Sequence, residues 1–571
     1  MSKFFLIKYK NVQPKDVEQQ LEKVLTNISS DRVENEYVVK KSNRLDELYI
    51  GMLNPNKNIE DTGFFTYGKK LTQKTNLLPD GSYAEITYDS NSIEFYCDRF
   101  ESKTIWFFYD DEKLIISNSQ RALISLKKTF FLNDKAVSWF LSSGTLGFQN
   151  AWDVEIKKVL NKKRYVFNVN SFELNIVDAD YNTLKIKYKN QKQFDNDFLN
   201  LTKNNFPVSH SYNDYILPLS GGNDSRLLFY ISKELQHFKN IKLINWGTEN
   251  KLHFDDKKAA LQISEFYKSE MVNEYLPKRI NNPDLFFETY IKLTDCRIDH
   301  FNAFTDHFQI FENLYKSRYR NIVRGDIPFT EGLDLNANMA RAHIGIPLFS
   351  DYKNEQEFDL EKWKSIQQSD LPDINKSAQE SLIAWRDRLY IDFRIPLVIS
   401  AFNDMIGCFV ENSSPMMTYS HFLLYQQQND NHKGNKEHIV RLSKKMDKSK
   451  VPFNAVPSIP RLSDLFENES IQYLIKALEN NAVFSDKLIQ QVKESLLKPH
   501  HQEGFNQNNK SLILKIKSIL SEYLPITLKS KLKSKIPKYF NGIELAYRII
   551  LINELSNIYL NDSKLINKND F

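Results

Sequence analysis

Residues 215–235 constrain this chain's fold more than any other stretch. Tyr215-Ile-Leu-Pro-Leu219 is a short apolar run, Leu227–Leu235 has helical spacing, and Ser220-Gly221-Gly222-Asn223-Asp224-Ser225-Arg226 lies between them. A strand feeding a Gly-rich turn and then a helix is one half of a βαβ unit. Ile241–Trp246 reads as the next strand and Lys257–Tyr267 as the next helix. Strand, helix, strand, helix needs crossover connections, which give a parallel sheet.

The same loop carries chemistry. Gly221 and Gly222 let backbone N–H groups close around an anion, and the helix start adds donors and the positive end of its dipole. Ser220 and Ser225 add hydroxyls. Asp224 is a carboxylate beside a phosphate site, the place for a Mg2+ ligand. The Gly-x4-Gly-Lys-Ser/Thr pattern of a Walker loop is absent.

The chain before about residue 175 has a different texture. Phe4–Tyr9, Tyr83–Tyr88, Ser92–Tyr96, Thr104–Tyr109 and Lys113–Ser117 are short apolar or alternating runs, separated by Asp80-Gly81, Asp89-Ser90-Asn91 and Asp110-Asp111. They predict antiparallel strands, with a short helix over Asp134–Leu141. The polar stretch Lys187–Asp197 is the expected boundary, giving units 1–190 and 191–571. Beyond about residue 355 the chain reads as mostly helical, and no solenoid repeat is present.

Composition narrows the function classes. The 571 residues carry 77 Lys and Arg against 72 Asp and Glu, a net charge of +5. That is too nearly balanced for wholesale nucleic-acid binding. Cys97, Cys296 and Cys408 are scattered and form no CxxC pair, which excludes a zinc ribbon or disulfide framework and fits a reduced, cytoplasmic setting. No signal-peptide core or apolar run of membrane-spanning length is visible. Lys529, Lys531, Lys533, Lys535 and Lys538 form a basic amphipathic patch; a solvated helical face is the favoured reading, peripheral membrane contact the other.

Ser-Gly-Gly-x-Asp-Ser resembles the pyrophosphate loop of the ATP-pyrophosphatase superfamily. Cys97-Asp98-Arg99-Phe100-Glu-Ser-Lys103-Thr-Ile-Trp-Phe-Phe-Tyr109 resembles the Asp-Arg-Phe-Gly-x-Lys-Pro-Leu-Tyr-Tyr segment of asparagine synthetases. Pro79-Asp80-Gly81-Ser-Tyr-Ala, Gln120-Arg121-Ala122-Leu123, Glu411-Asn-Ser-Ser-Pro415 and Gly434-Asn-Lys436-Glu-His-Ile-Val-Arg441 resemble further segments of that family, in family order, across about residues 75 to 460.

The resemblance implies an N-terminal-nucleophile-like αββα domain, then a parallel-sheet ATP-pyrophosphatase domain with a helical C-terminal region. It implies ATP and Mg2+ as cofactors. Lys436 matches the lysine that offsets charge on the tetrahedral oxygen and departing phosphate, and Glu411 a glutamate that handles the amine's proton. Leu219, Ser220, Gly221, Gly222, Asn223, Asp224, Ser225 and Arg226 match the nucleotide loop. Trp246 and Gly247 match a strand end beside the adenine, with Leu217 or its neighbours opposite. Ile322-Val-Arg-Gly325-Asp326-Ile-Pro-Phe-Thr-Glu331-Gly332 lies where relatives have Ser-Gly-Glu-Gly-x-Asp-Glu, with altered spacing, which makes Asp326 a candidate second Mg2+ ligand.

The departures are informative. Residue 2 is Ser where the family's glutaminase half begins with Cys, and no counterpart of the Asn-Gly-Glu-Ile-Tyr-Asn loop is present. Ser413 replaces the family's usual Arg. Arg226 replaces a small residue, so its guanidinium is expected on a phosphate or a substrate carboxylate. A silent glutaminase half with an intact synthetase half resembles β-lactam synthetase and lasso-peptide cyclases.

The leading expectation is an amide synthetase or cyclase, acting on a small-molecule or peptide carboxylate and an amine, and forming AMP and pyrophosphate. One alternative is an amidotransferase using ammonia, free or from a separate glutaminase, on a metabolite or sugar uronate. The other is an inactive scaffold or regulatory binder. Asp295-Cys296-Arg297-Ile-Asp299-His300 is expected to be ordinary helix, His500-His501 a loop, and Phe286, Phe287, Tyr290 and Leu293 core.

Overall fold

The computed structural model describes residues 3–10, 16–29, 32, 34–55, 61–71, 79–179, 190–207, 214–247, 255–276, 282–299, 307–329, 340–341, 344–428, 430–433, 436–453, 468–497 and 538–566. Ser2, His300, Glu331, Gly332, His500, His501 and the lysines at 529, 531, 533 and 535 lie outside them.

The N-terminal part is two stacked antiparallel sheets. One has six strands in the order β2 (Tyr37–Lys41), β3 (Leu48–Leu53), β1 (Lys3–Tyr9), β8 (Lys113–Ser117), β7 (Trp106–Tyr109), β9 (Lys157–Lys158). The other has five, in the order β11 (Glu173–Asp178), β10 (Lys163–Asn168), β6 (Ser92–Cys97), β5 (Gly81–Tyr88), β4 (Phe64–Lys70). Strand alternation explains the layering. Phe4, Leu6, Ile50, Phe107, Leu114 and Ile116 point between the sheets, where they meet Ile86, Phe95 and Phe167. Phe5, Ile7, Tyr49, Trp106 and Ile115 point the other way, onto helices α1 (Val17–Ile28) and α2 (Gln120–Lys127). The six-stranded sheet is therefore buried on both faces, which is why β1 and β8 read as continuous apolar runs.

The later part is a five-stranded parallel sheet in the order β14 (Met271–Tyr275), β13 (Lys242–Gly247), β12 (Tyr215–Pro218), β15 (Asn321–Val323), β16 (Glu411–Ser413). It matches the expected βαβ reading. Helix α3 (Asp134–Ser143) closes the first part; α4 (Gln191–Asn205) packs Phe194 and Phe198 into the core beneath α5 (Asn223–Glu234). After α6 (Asp256–Phe266) and α7 (Pro283–Thr294) the described chain is mostly helical, as expected, with β16 inserted and a π-helical stretch over Tyr390–Ile399. Phe287, Tyr290 and Leu293 are buried as expected, with Phe286 packed against them. No described helix is long and apolar enough to cross a membrane.

The C-terminal helix Gly542–Asp562 is apolar around most of its circumference and is wedged against α2, α3 and α7. Its buried Arg548 reaches Asp299, and its Asp562 pairs with Arg121 at 2.8 Å.

Asp295 to Asp299 departs from expectation. These residues follow α7 rather than continue it, because Asp295 and Cys296 adopt left-handed backbone at φ 51° and 48°. Their side chains are buried staples. Asp295 accepts the Gln120 N–H, Arg297 pairs with Asp404, and Asp299 receives Arg548. The three cysteines are buried and unpaired with one another.

Candidate active site

The cleft lies outside the carboxyl ends of β12, β13 and β15, the side on which open parallel sheets bind their ligands. It encloses about 330 Å3. Leu219, Ser220, Gly222, Asp224, Ser225, Trp246, Gly325 and Asp326 all line it, so most of the residues named from sequence come together.

The loop is held by its own side chains. Gly222 caps α5, which places Asp224 in the helix's first turn, where a carboxylate suits the dipole. The Ser220 and Ser225 hydroxyls are 2.9 Å apart, Ser225 Oγ accepts the Ser220 N–H, and Ser220 Oγ accepts the Gly222 N–H. The Gly221 N–H donates to Asp256 over 2.9 Å. Asn223 accepts Ser443 Oγ through its carbonyl at 3.0 Å, tying α5 to helix Glu437–Met446.

Gly325 closes the opposite wall. A Cβ there would sit 2.9 Å from the carbonyl carbon of Asp224 and 3.1 Å from Ser225 N. Only glycine lets the β15 end approach the helix start this closely. Asp326, next in sequence, accepts Ser414 Oγ at 2.9 Å and Arg324 at 3.1 Å.

Lys436 reaches the same place from a distant element. Its ammonium lies 2.6 Å from Asp224 Oδ2. Lys436 caps helix Glu437–Met446 with φ 53°, a left-handed conformation that a lysine rarely adopts.

The Arg226 reading changes. The Arg226 guanidinium does not face the cleft. It is buried, donates to the carbonyls of Val451 (2.8 Å) and Pro452, and lies 4.1 Å from the Phe453 ring centre. One helical position past Ser225 turns its side chain into the core side of α5, where carbonyls satisfy it. Leu217 is core, and its neighbours Pro218 and Leu219 line the wall. Glu411, at the start of β16, is not among the residues lining this cleft. It faces the N-terminal part, where Lys103, itself 1% exposed, lies 3.2 Å from its carboxylate. Gly247 ends β13, and its carbonyl accepts the Leu276 N–H.

Sequence reading missed Ile244, Asn245, Asp256 and Arg324, which also line the cleft. Asp256 has a signal: it follows the N-cap Asp255 at the start of the second βα helix, and like Asp224 it lies in a helix's first turn.

The segments around Asp80 and Asp98 are built as turns and ties. Asp98 accepts the N–H groups of Tyr83, Phe100 and Ser102, and its desolvation still pushes the carboxyl up to about 7. Arg99 pairs with Asp392 at 3.2 Å. Asp80 accepts the Tyr419 and Ser420 N–H groups at a helix start.

Among the described residues no three His, Cys, Asp or Glu side chains converge on a metal-sized gap. A Mg2+ carried by a nucleotide needs only one or two protein carboxylates, and Asp224 and Asp326 on facing walls of the cleft meet that need. The α5 N-terminus, with the hydroxyls of Ser220 and Ser225 beside it, is a donor set suited to an anion such as phosphate. Comparison with protein-family models and with curated proteins gives no match for this chain.

Proposed function

We propose that the chain is an ATP-dependent amide synthetase or cyclase that adenylates a substrate carboxylate and passes the acyl group to an amine, without a glutaminase of its own. The observation that carries this is the 2.6 Å pair of Lys436 and Asp224 at the mouth of the Gly-Gly loop. A triphosphate on the loop would bring its reacting phosphorus beside this cation and this candidate metal-binding carboxylate. The asparagine-synthetase-like order of the motifs supports this reading.

In this reading the carboxylate oxygen attacks the α-phosphorus, the bond to the β-phosphate breaks, and pyrophosphate leaves. The amine then attacks the acyl carbon and AMP departs with the bridging oxygen. Asp224 and Asp326 would hold a Mg2+ ion, which when bound would supply charge neutralisation on the phosphates. The N-terminal turn of α5 and the serine hydroxyls beside it orient the phosphates. Lys436 offsets charge on the leaving phosphate and the tetrahedral oxygen. Glu411, on the side facing the N-terminal part, takes the amine's proton.

The test is pyrophosphate release by the full chain with MgATP over a panel of carboxylates and amines, with ammonium chloride as a separate arm. Release that needs both a carboxylate and an amine, and is lost in Asp224→Asn, supports the proposal. Release driven by ammonium alone favours the amidotransferase. Absence of both release and ATP binding overturns the ligase reading in favour of a scaffold.

A further inference from the structure

The two sides of the cleft differ in chemistry. In the sheet order β13 and β15 flank β12 on opposite sides. The β15 side is polar, with Arg324 and Asp326 facing the start of α5. The β13 side is mainly apolar: Ile244 and Trp246 line it, next to Pro218 and Leu219 at the end of β12. Trp246 stands edge-on to Phe311, with ring centres 6.2 Å apart. Asp256 is held at the loop by the Gly221 N–H. A nucleotide divides in the same way, into charged phosphates and a flat base that seeks apolar walls.

Asn245 is the polar exception on the β13 side. It is 3% exposed and lines the cleft between Ile244 and Trp246. Its Nδ2 donates to the Leu219 carbonyl, just past the end of β12, while the Leu219 N–H donates to the Ile244 carbonyl over 2.9 Å. The side chain thus continues the β12–β13 ladder by one bond after the strand has ended. Because a carbonyl can only accept, this contact fixes which way the amide is turned.

That tie accounts for the donor half of the amide and leaves the acceptor half over. Asn245 Oδ1 is buried and has no hydrogen-bond partner among the described residues. A buried amide oxygen without a donor is costly, and such groups are nearly always paired in folded proteins. The neighbours Leu243 and Ile244 show that this strand otherwise places apolar side chains in its interior. An acceptor kept here suits a donor that arrives with the ligand.

The surroundings say which donor. Oδ1 belongs to the apolar, base-binding side of the cleft. Adenine presents an exocyclic amine, which donates; guanine and hypoxanthine carry an oxygen at that position, which accepts. An oxygen set against Asn245 Oδ1 would leave two buried acceptors facing each other with no proton between them. Sites built to pair with one polar group discriminate strongly against a ligand that lacks it.

We propose that Asn245 reads the base: its Oδ1 accepts a hydrogen bond from the exocyclic amine of adenine and sets the cleft's preference for adenine over 6-oxo purines. Asn245 is in this role a specificity-determining residue and takes no part in the chemical steps. The assignment rests on the nucleotide reading of the cleft.

Calorimetric titration of the full chain with nucleotides in the presence of Mg2+ tests it without turnover. The probes are ATP, purine riboside triphosphate (ATP without the amine), inosine triphosphate, and the 2′-deoxy and 3′-deoxy forms of ATP. Purine riboside triphosphate is expected to bind about tenfold more weakly than ATP, and inosine triphosphate more weakly still. Both deoxy nucleotides are expected within about twofold of ATP. In Asn245→Ala, ATP and purine riboside triphosphate are expected to bind within about twofold of each other. Equal wild-type affinities for these two, a preference that survives in Asn245→Ala, or a loss confined to the deoxy nucleotides would overturn the assignment and leave the nucleotide reading standing. Binding of none of the triphosphates by the wild-type chain would overturn the nucleotide reading and the assignment with it. Should urea unfolding show that Asn245→Ala does not fold, the wild-type series decides.

Discussion

Lys436 and Asp224 are 212 positions apart and meet at 2.6 Å at the start of α5, where Asp224 lines the cleft. The contact joins the start of α5 to the start of helix Glu437–Met446, and the left-handed backbone at Lys436 is what aims the lysine there. A lysine kept in that conformation has a local cost that the surrounding packing sustains.

Lys436→Met is expected to lower the rate of pyrophosphate release by about 100-fold or more, the scale of losing one preorganised electrostatic group. Lys436→Arg keeps the charge and is expected to recover part of it. Steady-state kinetics check this, and nucleotide-dependent melting shows whether ATP still binds.

Gly325→Ala is expected to abolish ATP-dependent stabilisation. The new Cβ would meet the Asp224 backbone at 2.9 Å, so β15 or the α5 start must shift. Overpacking of this kind costs about 1–3 kcal/mol. Urea unfolding with and without MgATP separates the two effects.

Arg226→Met is expected to do the reverse. It leaves the Val451 and Pro452 carbonyls without their donor, costing about 1–3 kcal/mol of stability, while ATP affinity stays within about twofold. Calorimetric titration of ATP alongside urea unfolding checks both halves.

Acid sensitivity follows from two buried imidazoles. Burial pushes His421 and His438 from 6.5 down to about 3, so both rings stay neutral in the folded chain. Below about pH 6.5 the unfolded chain takes up protons that the folded one refuses. Stability is therefore lost as pH falls, by about 1.4 kcal/mol per pH unit per ring, until about pH 3. His421 bonds Thr202 and Thr418, whereas neither His438 nitrogen has a hydrogen-bond partner among the described residues. His438→Leu is expected to make the stability-against-pH slope shallower by one ring's share, measured by urea unfolding between pH 6 and 4.

The elements legible in the sequence are those whose pattern is local. Lys113–Ser117 and Ser92–Tyr96 alternate or run apolar, and they are strands. The Ser220–Ser225 turn is set by two glycines and its cap, and it forms the cleft. The α5 helix begins at Asn223, four residues before its apolar spacing starts, because Gly222 supplies the cap. β15 and β16 are three residues long and are readable only through neighbouring motifs. The direction of Arg226 is illegible in sequence because Val451 and Pro452, its partners, come from 225 residues away.

The most direct measurement is product analysis of ATP labelled at the α-phosphate, with the full chain, Mg2+, a carboxylate panel and hydroxylamine to trap activated acyl groups. AMP formed together with hydroxamate, and both lost in Asp224→Asn, is the expected result. ADP as the product, or no nucleotide turnover and no ATP binding by the wild-type chain, would contradict the account.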